Sequence, residues 1–139
     1  MKSLAYSLLA PCGMNCGICM AHLREKNPCP GCRGADTDKP ATRVRCKIKT
    51  CEYFQNGKAK FCFECEKFPC NILHHLDVRY QTKYRMSMIK NLENIRNIGI
   101  RRFLKDEKVR WTCTRCNGTI CVHKGYCVEC GKKRPRKNY

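Results

Sequence analysis

Cysteine is the residue type that carries chemistry in this sequence, since fifteen of the 139 residues are cysteines. Ten of them lie between Cys12 and Cys70, and most stand in pairs separated by two residues. Two thiols at that spacing can turn toward one ion, and a glycine after the pair allows the tight turn of a zinc knuckle. We expect thiolate-bound metal ions to stabilise the fold, because the rest of the chain offers a thin apolar core.

The spacing of the pairs predicts three four-thiolate centres. The first consists of two pairs with nine residues between them: Cys16, Cys19, Cys29 and Cys32. The last consists of two pairs with ten residues between them, the spacing of a zinc ribbon: Cys113, Cys116, Cys127 and Cys130. For the middle centre the first candidate set is Cys46, Cys51, Cys62 and Cys65. A competing set is Cys51, Cys62, Cys65 and Cys70, which leaves Cys46 to sit in the core or to join Cys12.

Four further residues are alternative ligands: Cys12, Cys70, Cys121 and His123. Cys121 and His123 stand between the two pairs of the last centre and could replace a ligand or support one. We expect about three zinc ions, because paired knuckles favour zinc. The alternative cofactor is an iron–sulfur cluster, which four thiolates can also hold. A thiol-based redox protein using Cys12, Cys70 and Cys121 is the corresponding alternative function.

Motifs of catalysis are sparse. Cys12, Cys16 and Cys19 have the spacing of a radical-SAM cluster motif, but 139 residues are too few for the barrel of those enzymes. The sequence contains no phosphate-binding glycine loop, metalloprotease helix or serine triad. We therefore expect a protein that is not an enzyme.

Disulfide bonds are the other common means of stabilising a small cysteine-rich chain. An odd number of cysteines leaves at least one thiol unpaired in a monomer. The apolar run from Leu4 to Ala10 is short for an export signal, and Pro11 stands where such a signal needs a small residue. We expect a reducing, cytoplasmic location and no membrane-spanning segment.

The chain is strongly basic, with a formal charge of +18. Each four-thiolate zinc centre carries two net negative charges, so three centres would leave a charge of about +12. This surplus favours a nucleic acid or an acidic protein as partner. Cations alternate with apolar residues from Thr42 to Lys49, which predicts a strand with a cationic face, and a mobile basic tail begins at Lys132. The candidate nucleic-acid-binding residues are Arg43, Arg45, Lys47, Lys49, Lys132, Lys133 and Arg134.

The cysteine motifs are similar to those of one known family. The sequence reads Cys-Gly-x-x-Cys-x-x-Cys from Cys12, Cys-Pro-Gly-Cys-Arg-Gly from Cys29, Cys-x-x-Cys from Cys62 and Phe-Pro-Cys from Phe68. It resembles the prokaryotic cysteine-rich family known as domain of unknown function 3795, and the likeness covers most of the chain. The resemblance implies presumed metal binding and no established activity. Its motif positions fall at Cys12, Cys16, Cys19, Cys29, Cys32, Cys46, Cys51, Cys62, Cys65 and Cys70.

The segment between Asn71 and Arg110 has no cysteine, and its apolar residues recur at helical spacing after Ser87, a good helix cap. Gly99 should interrupt this segment. The predicted fold is a small, metal-stabilised α+β protein with a cysteine-rich zinc-knuckle region, a helical middle and a C-terminal zinc ribbon. The expected divisions are residues 1–70, 71–110, 111–131 and a basic tail over 132–139.

Overall fold

The computed structural model describes residues 5–37, 39–57 and 59–136. The α-helices are α1 (Met20–Leu23), α2 (Ala41–Val44), α3 (Glu52–Gln55), α4 (Asn71–Tyr84), α5 (Met88–Ile98) and α6 (Ile100–Trp111). The antiparallel pair of strands is β1 (Ile120–Cys121) and β2 (Tyr126–Cys127), and short 3-10 turns cover Tyr6–Leu8, Cys16–Ile18 and Cys62–Glu64. The structure confirms the predicted fold class, a small α+β protein that is mostly helical.

The three long helices follow one another, and α5 begins after Ser87 and ends before Gly99 as the sequence predicts. Ser87 caps α5, because its hydroxyl accepts a hydrogen bond from the backbone N–H of Lys90 at 3.1 Å. Gly99 has φ 84° and separates α5 from α6. Within the described part of the chain, every helix is too short or too polar to cross a lipid bilayer.

A buried carboxyl group fixes the angle between α4 and α5. Asp77 lies in the middle of α4, is 3% exposed, and accepts hydrogen bonds from the Ser87 hydroxyl at 2.8 Å and the Ile89 N–H at 3.0 Å. The side-chain amide of Gln81 donates to its second oxygen at 2.5 Å. Asp77 therefore satisfies donors at the positive end of α5 from a neighbouring helix.

Buried polar contacts attach the cysteine-rich first half to these helices. The Asn91 side chain on α5 donates to the Gly13 carbonyl at 2.9 Å. Gly13 has φ 90°, and a Cβ at this position would lie 2.7 Å from the Met88 carbonyl oxygen, so only glycine fits. Glu107, 1% exposed on α6, accepts from the indole N–H of Trp111 at 3.1 Å. The core is therefore continuous from the first cysteines to α6.

The predicted strand from Thr42 to Lys49 is wrong. Ala41–Val44 form α2, and turns continue over residues 47–50. The Pro40 carbonyl accepts from the N–H groups of Arg43 and Val44 at 2.9 and 3.2 Å, which is a helical pattern. A strand here would need a neighbouring strand to satisfy its backbone, and the surrounding chain is bent around the cysteines, so local hydrogen bonds prevail.

The prediction of a mobile basic tail is wrong at Arg134, which is 9% exposed. Its guanidinium lies 4.3 Å from the ring centroid of buried Trp111. It also donates to the backbone carbonyls of Tyr84 at 2.7 Å and Arg85 at 3.0 Å. This residue joins the end of the ribbon to α4 and α6. Residues 137–139 of the predicted tail lie outside the described residues.

Candidate metal centres

The C-terminal knuckles bring four sulfur atoms together. The Sγ atoms of Cys113 and Cys130 are 3.6 Å apart, and those of Cys116 and Cys127 are also 3.6 Å apart. All four lie within 4.8 Å of one another. A tetrahedral zinc ion with bonds of about 2.3 Å to sulfur requires neighbouring sulfurs about 3.8 Å apart. This arrangement could therefore hold one metal ion with little movement of the ligands.

Backbone N–H groups support these sulfurs, as expected of a knuckle. The Arg115 N–H donates to the Cys113 sulfur and the Gly118 N–H donates to the Cys116 sulfur, each at 3.4 Å. Hydrogen bonds from the backbone of Cys116 and Arg115 lower the pKa of the Cys113 thiol to about 6, which favours the metal-binding thiolate. Asn117 has φ 63°, so asparagine fills the left-handed position that glycine often takes.

Gly118 leaves room for the ligands themselves. A Cβ at this position would lie 3.0 Å from the Cys127 sulfur and 3.1 Å from the Cys116 sulfur. These are tighter than ordinary contacts, so a side chain here would press on two ligands at once. The glycine after the first knuckle is therefore part of the metal-binding geometry and not only of the turn.

Cys121 and His123 lie outside this group of sulfurs. Cys121 is completely buried on β1, and burial raises the pKa of its thiol. The Nδ1 atom of His123 accepts from the Met20 N–H at 3.2 Å, and its Nε2 lies 2.8 Å from the Tyr80 hydroxyl. Since Nδ1 accepts, the ring proton must sit on Nε2. Burial, together with the nearby positive charge of Arg43, lowers the pKa of His123 to about 4.

The cysteines of the first predicted centre share a cavity with two others. The six that line this cavity, of about 590 Å³, are Cys12, Cys16, Cys19, Cys29, Cys32 and Cys46. The Cys32 N–H donates to the Cys16 sulfur at 3.5 Å. The hydrogen bond between the two thiols, together with the positive charges of Lys39, Arg43 and Lys49, lowers the pKa of Cys32 to about 7 against the opposing effect of burial. A thiolate at Cys32 is thus favoured before any metal binds.

The middle cysteines surround a second, smaller cavity of about 50 Å³: Cys51, Cys62, Cys65 and Cys70. Burial and the neighbouring thiols raise the pKa of Cys62 to about 12. These four cysteines are the competing set for the middle centre, Cys51, Cys62, Cys65 and Cys70. Cys46, which belongs to the first candidate set, lines the larger cavity with Cys12. Among the described residues, however, the C-terminal four are the ones whose sulfurs lie within 4.8 Å of one another. All fifteen cysteines are free thiols.

The predicted nucleic-acid-binding cations are dispersed. Arg43 lies beside the Cys19 sulfur, and Lys49 binds the Asp36 carboxylate. Arg45 and Lys47 are exposed, but they do not form the predicted face because the strand is absent from this described segment. Lys132 and Lys133 are exposed on the ribbon, whereas Arg134 is buried.

Tyr126 is an exposed aromatic residue that was not among the candidate binding residues. It is 40% exposed on β2, and its backbone forms an antiparallel bridge with Lys133. The ribbon thus presents an aromatic ring beside a cation. Its position next to Cys127 was visible in the sequence, because a residue beside an inward-pointing ligand on a strand must point outward.

The model of one protein family, described as "Protein of unknown function (DUF3795)", matches residues 8–75. This match confirms the family resemblance drawn from the cysteine motifs, but it covers about half of the chain and not most of it. No curated protein and no solved structure matches the chain.

Proposed function

We propose that the chain, whose residues 8–75 belong to the DUF3795 family of unknown function, is a zinc-stabilised, non-catalytic module. In this proposal the module binds single-stranded nucleic acid through its C-terminal ribbon. The four sulfurs at the spacing of a tetrahedral ion support the metal part of the proposal. They are soft ligands in a closed set of four, which suits structural zinc. A reducing, cytoplasmic compartment is part of the proposal, because oxidation of these thiols would remove the ligands.

The nucleic-acid part rests on the outer surface of the ribbon. Tyr126 and Val128 stand on either side of buried Cys127 and are 40% and 39% exposed. The backbone bridge places Lys133 opposite Tyr126, and the ammonium of Lys132 is held by the Thr114 hydroxyl at 2.9 Å. An exposed ring flanked by cations allows a base to stack while a phosphate is neutralised. The formal charge of +18 attracts a polyanion to this surface.

The proposal is tested by measuring the affinity of the zinc-loaded protein for a fluorescent single-stranded oligonucleotide at several salt concentrations. Replacing Tyr126 by alanine should weaken binding by about 1–3 kcal/mol, which is roughly 5- to 150-fold. The matched variant Tyr126→Phe keeps the ring and should bind as the wild type does. Replacing Lys132 and Lys133 by glutamine should reduce the salt dependence by about 1.4 in the slope of log K against log salt.

Two outcomes would contradict the nucleic-acid part of the proposal. If the protein binds no oligonucleotide even at low salt, the ribbon is not a nucleic-acid interface. If an acidic polypeptide binds with the same dependence on Tyr126, the partner is a protein. Metal counting is independent of both results and tests the zinc part alone.

An iron–sulfur protein is the second candidate, since the first ten cysteines could also hold a cluster. In the described structure their sulfurs line cavities, and no three of them lie within 4.8 Å of one another as the C-terminal four do. A cluster of several irons holds its thiolates further apart than one ion does, because each thiolate binds a different iron. Anaerobic purification followed by metal analysis distinguishes the two candidates: zinc without iron supports our proposal, and a brown, iron-containing protein supports a redox role.

A further inference from the structure

The larger cavity lies between α4 and the cysteine-rich first half. One wall is a single face of α4, since its residues recur at intervals of three and four: Ile72, His75, Leu76, Arg79, Tyr80 and Lys83. The opposite wall carries the cysteines of the first predicted centre. This face of α4 differs from the one that carries buried Leu73 and Asp77 toward α5, and it is turned toward an open space.

The volume of the cavity exceeds what a metal site needs. The cavity measures about 590 Å³, whereas a single ion occupies no more room than a water molecule, about 30 Å³. Pockets that bind small organic molecules are usually about 300–1,000 Å³. An ion held by the cysteine wall would leave most of the space open to a second, larger ligand.

Cationic side chains line the cavity, and the negative charge around it comes from cysteine thiolates. Arg43, Lys47, Arg79 and Lys83 line it, and the described lining contains no aspartate or glutamate. Arg43 faces the Cys19 sulfur and can offset thiolate charge there. Arg79 and Lys83 lie one helical turn apart on the opposite wall, and both are exposed. They are placed to bind the oxygens of an anionic group from two sides.

The remaining lining is apolar and aromatic. Met20 and Ile72 line the cavity and are 47% and 48% exposed, so their apolar surface is open to a ligand. The rings of Tyr84 and His123 lie 4.8 Å apart, and the hydrogen bond of 2.8 Å from His123 to the Tyr80 hydroxyl fixes this aromatic wall. A preformed wall loses little conformational entropy when a planar or apolar body packs against it.

We propose that this cavity binds a small organic anion, with a carboxylate or phosphate group at Arg79 and Lys83 and a planar or apolar body against Met20, Ile72 and Tyr84. This site is separate from the ribbon surface and does not depend on the nucleic-acid proposal. The cavity is partly open to solvent and its volume of about 590 Å³ is that of a small-molecule pocket, so the ligand that we propose is of the size of a metabolite.

The test uses two dyes that share one aromatic body. Anilinonaphthalene sulfonate carries an anionic group, and phenylnaphthylamine lacks it. Both are titrated by fluorescence into the metal-loaded full chain. The sulfonate dye should bind at one saturable site and more tightly than the neutral dye, because only the sulfonate engages the two cations. Naphthyl phosphate and naphthoate then compete with the dye, and the stronger competitor identifies the preferred anionic group.

Two double variants locate the site. Arg79→Gln with Lys83→Gln should weaken the sulfonate dye at least about tenfold and leave the neutral dye unchanged. Arg101→Gln with Lys105→Gln is the matched control, because it removes the same two residue types at the same helical spacing from the exposed surface of α6. The control should bind both dyes as the wild type does.

The neutral dye also reports whether the cavity is intact in each variant, so a misfolded variant is recognised and replaced by the single substitutions at Arg79 or Lys83. Equal losses in the two double variants would overturn the proposal, because they would indicate attraction by net charge alone. The same conclusion would follow if the neutral dye bound as tightly as the sulfonate, or if neither competitor displaced it.

Discussion

Replacing Cys116 by serine should remove one metal ion and unfold the C-terminal ribbon. The ribbon has only two strands of two residues each, and an isolated hairpin of that size is not stable in water. A structural zinc contributes about 10–16 kcal/mol of apparent folding free energy, which is comparable to the about 5–15 kcal/mol that stabilises a whole domain. Since the Cys116 and Cys127 sulfurs are 3.6 Å apart, loss of one ligand opens the tetrahedron.

The assay counts bound metal per chain and follows cleavage by trypsin, which should cut the opened ribbon at Arg115 or Lys124. The control is Cys121→Ser, since Cys121 is buried on β1 and lies outside the group of four sulfurs. This control should lower the free energy of unfolding by about 1–3 kcal/mol because it buries a hydroxyl, but it should keep the full metal count. A Cys116→Ser protein with unchanged metal content, or a Cys121→Ser protein that lacks an ion, would refute the ligand assignment.

Three further outcomes are expected. Gly118→Ala should weaken metal binding without abolishing it, because the new Cβ would meet two ligand sulfurs at 3.0 and 3.1 Å. Competition with a zinc-binding dye measures the metal affinity, and an unchanged affinity would contradict the prediction. Asp77→Ala should lower the free energy of unfolding in denaturant by about 2–3 kcal/mol, since it leaves buried donors unpaired. The control Asp106→Ala removes an exposed ion pair and should lower the free energy of unfolding by less than about 1 kcal/mol. Equal losses in the two variants would argue against the buried contact. The imidazole of His123 should remain neutral, with its proton on Nε2, until the pH approaches its pKa of about 4, as nitrogen-detected NMR can show. Because the imidazole of an unfolded chain takes up this proton near pH 6.5, the free energy of unfolding should fall as the pH drops from about 6.5 to about 4. A titration midpoint near 6.5 in the folded protein would refute the burial of the ring.

Local signals in the sequence were sufficient for the cap and the end of α5 and for the C-terminal group of sulfurs. Ser87 and Gly99 act through their own backbone geometry, and the pairs at Cys113 and Cys127 close one turn each. The interpretation failed where the outcome depends on distant residues. The alternation from Thr42 to Lys49 has a strand-like period, but a strand needs a partner, and none lies beside this described segment.

Contacts across long stretches of chain were equally invisible. Nothing local in α4 marks Asp77 as the group that meets the start of α5, since its neighbours give only a helical period. Spacing could not choose between the two middle sets, because Cys46 and Cys70 are both near Cys62 along the chain. The structure groups Cys70 with Cys62 around the smaller cavity. Residues of α3 and of the first turn of α4 line this cavity, so the grouping depends on contacts that spacing does not show.

The contact of the Arg134 guanidinium with the Trp111 ring affects the order in which the protein folds during synthesis. The guanidinium reaches back to the carbonyls of Tyr84 and Arg85, fifty residues or so earlier in the chain. The three long helices can form as they leave the ribosome, but the indole at the end of α6 stays uncovered until residue 134 has emerged. A nascent chain stalled before that point would expose a tryptophan to chaperones and proteases, so closure of the body waits for Arg134.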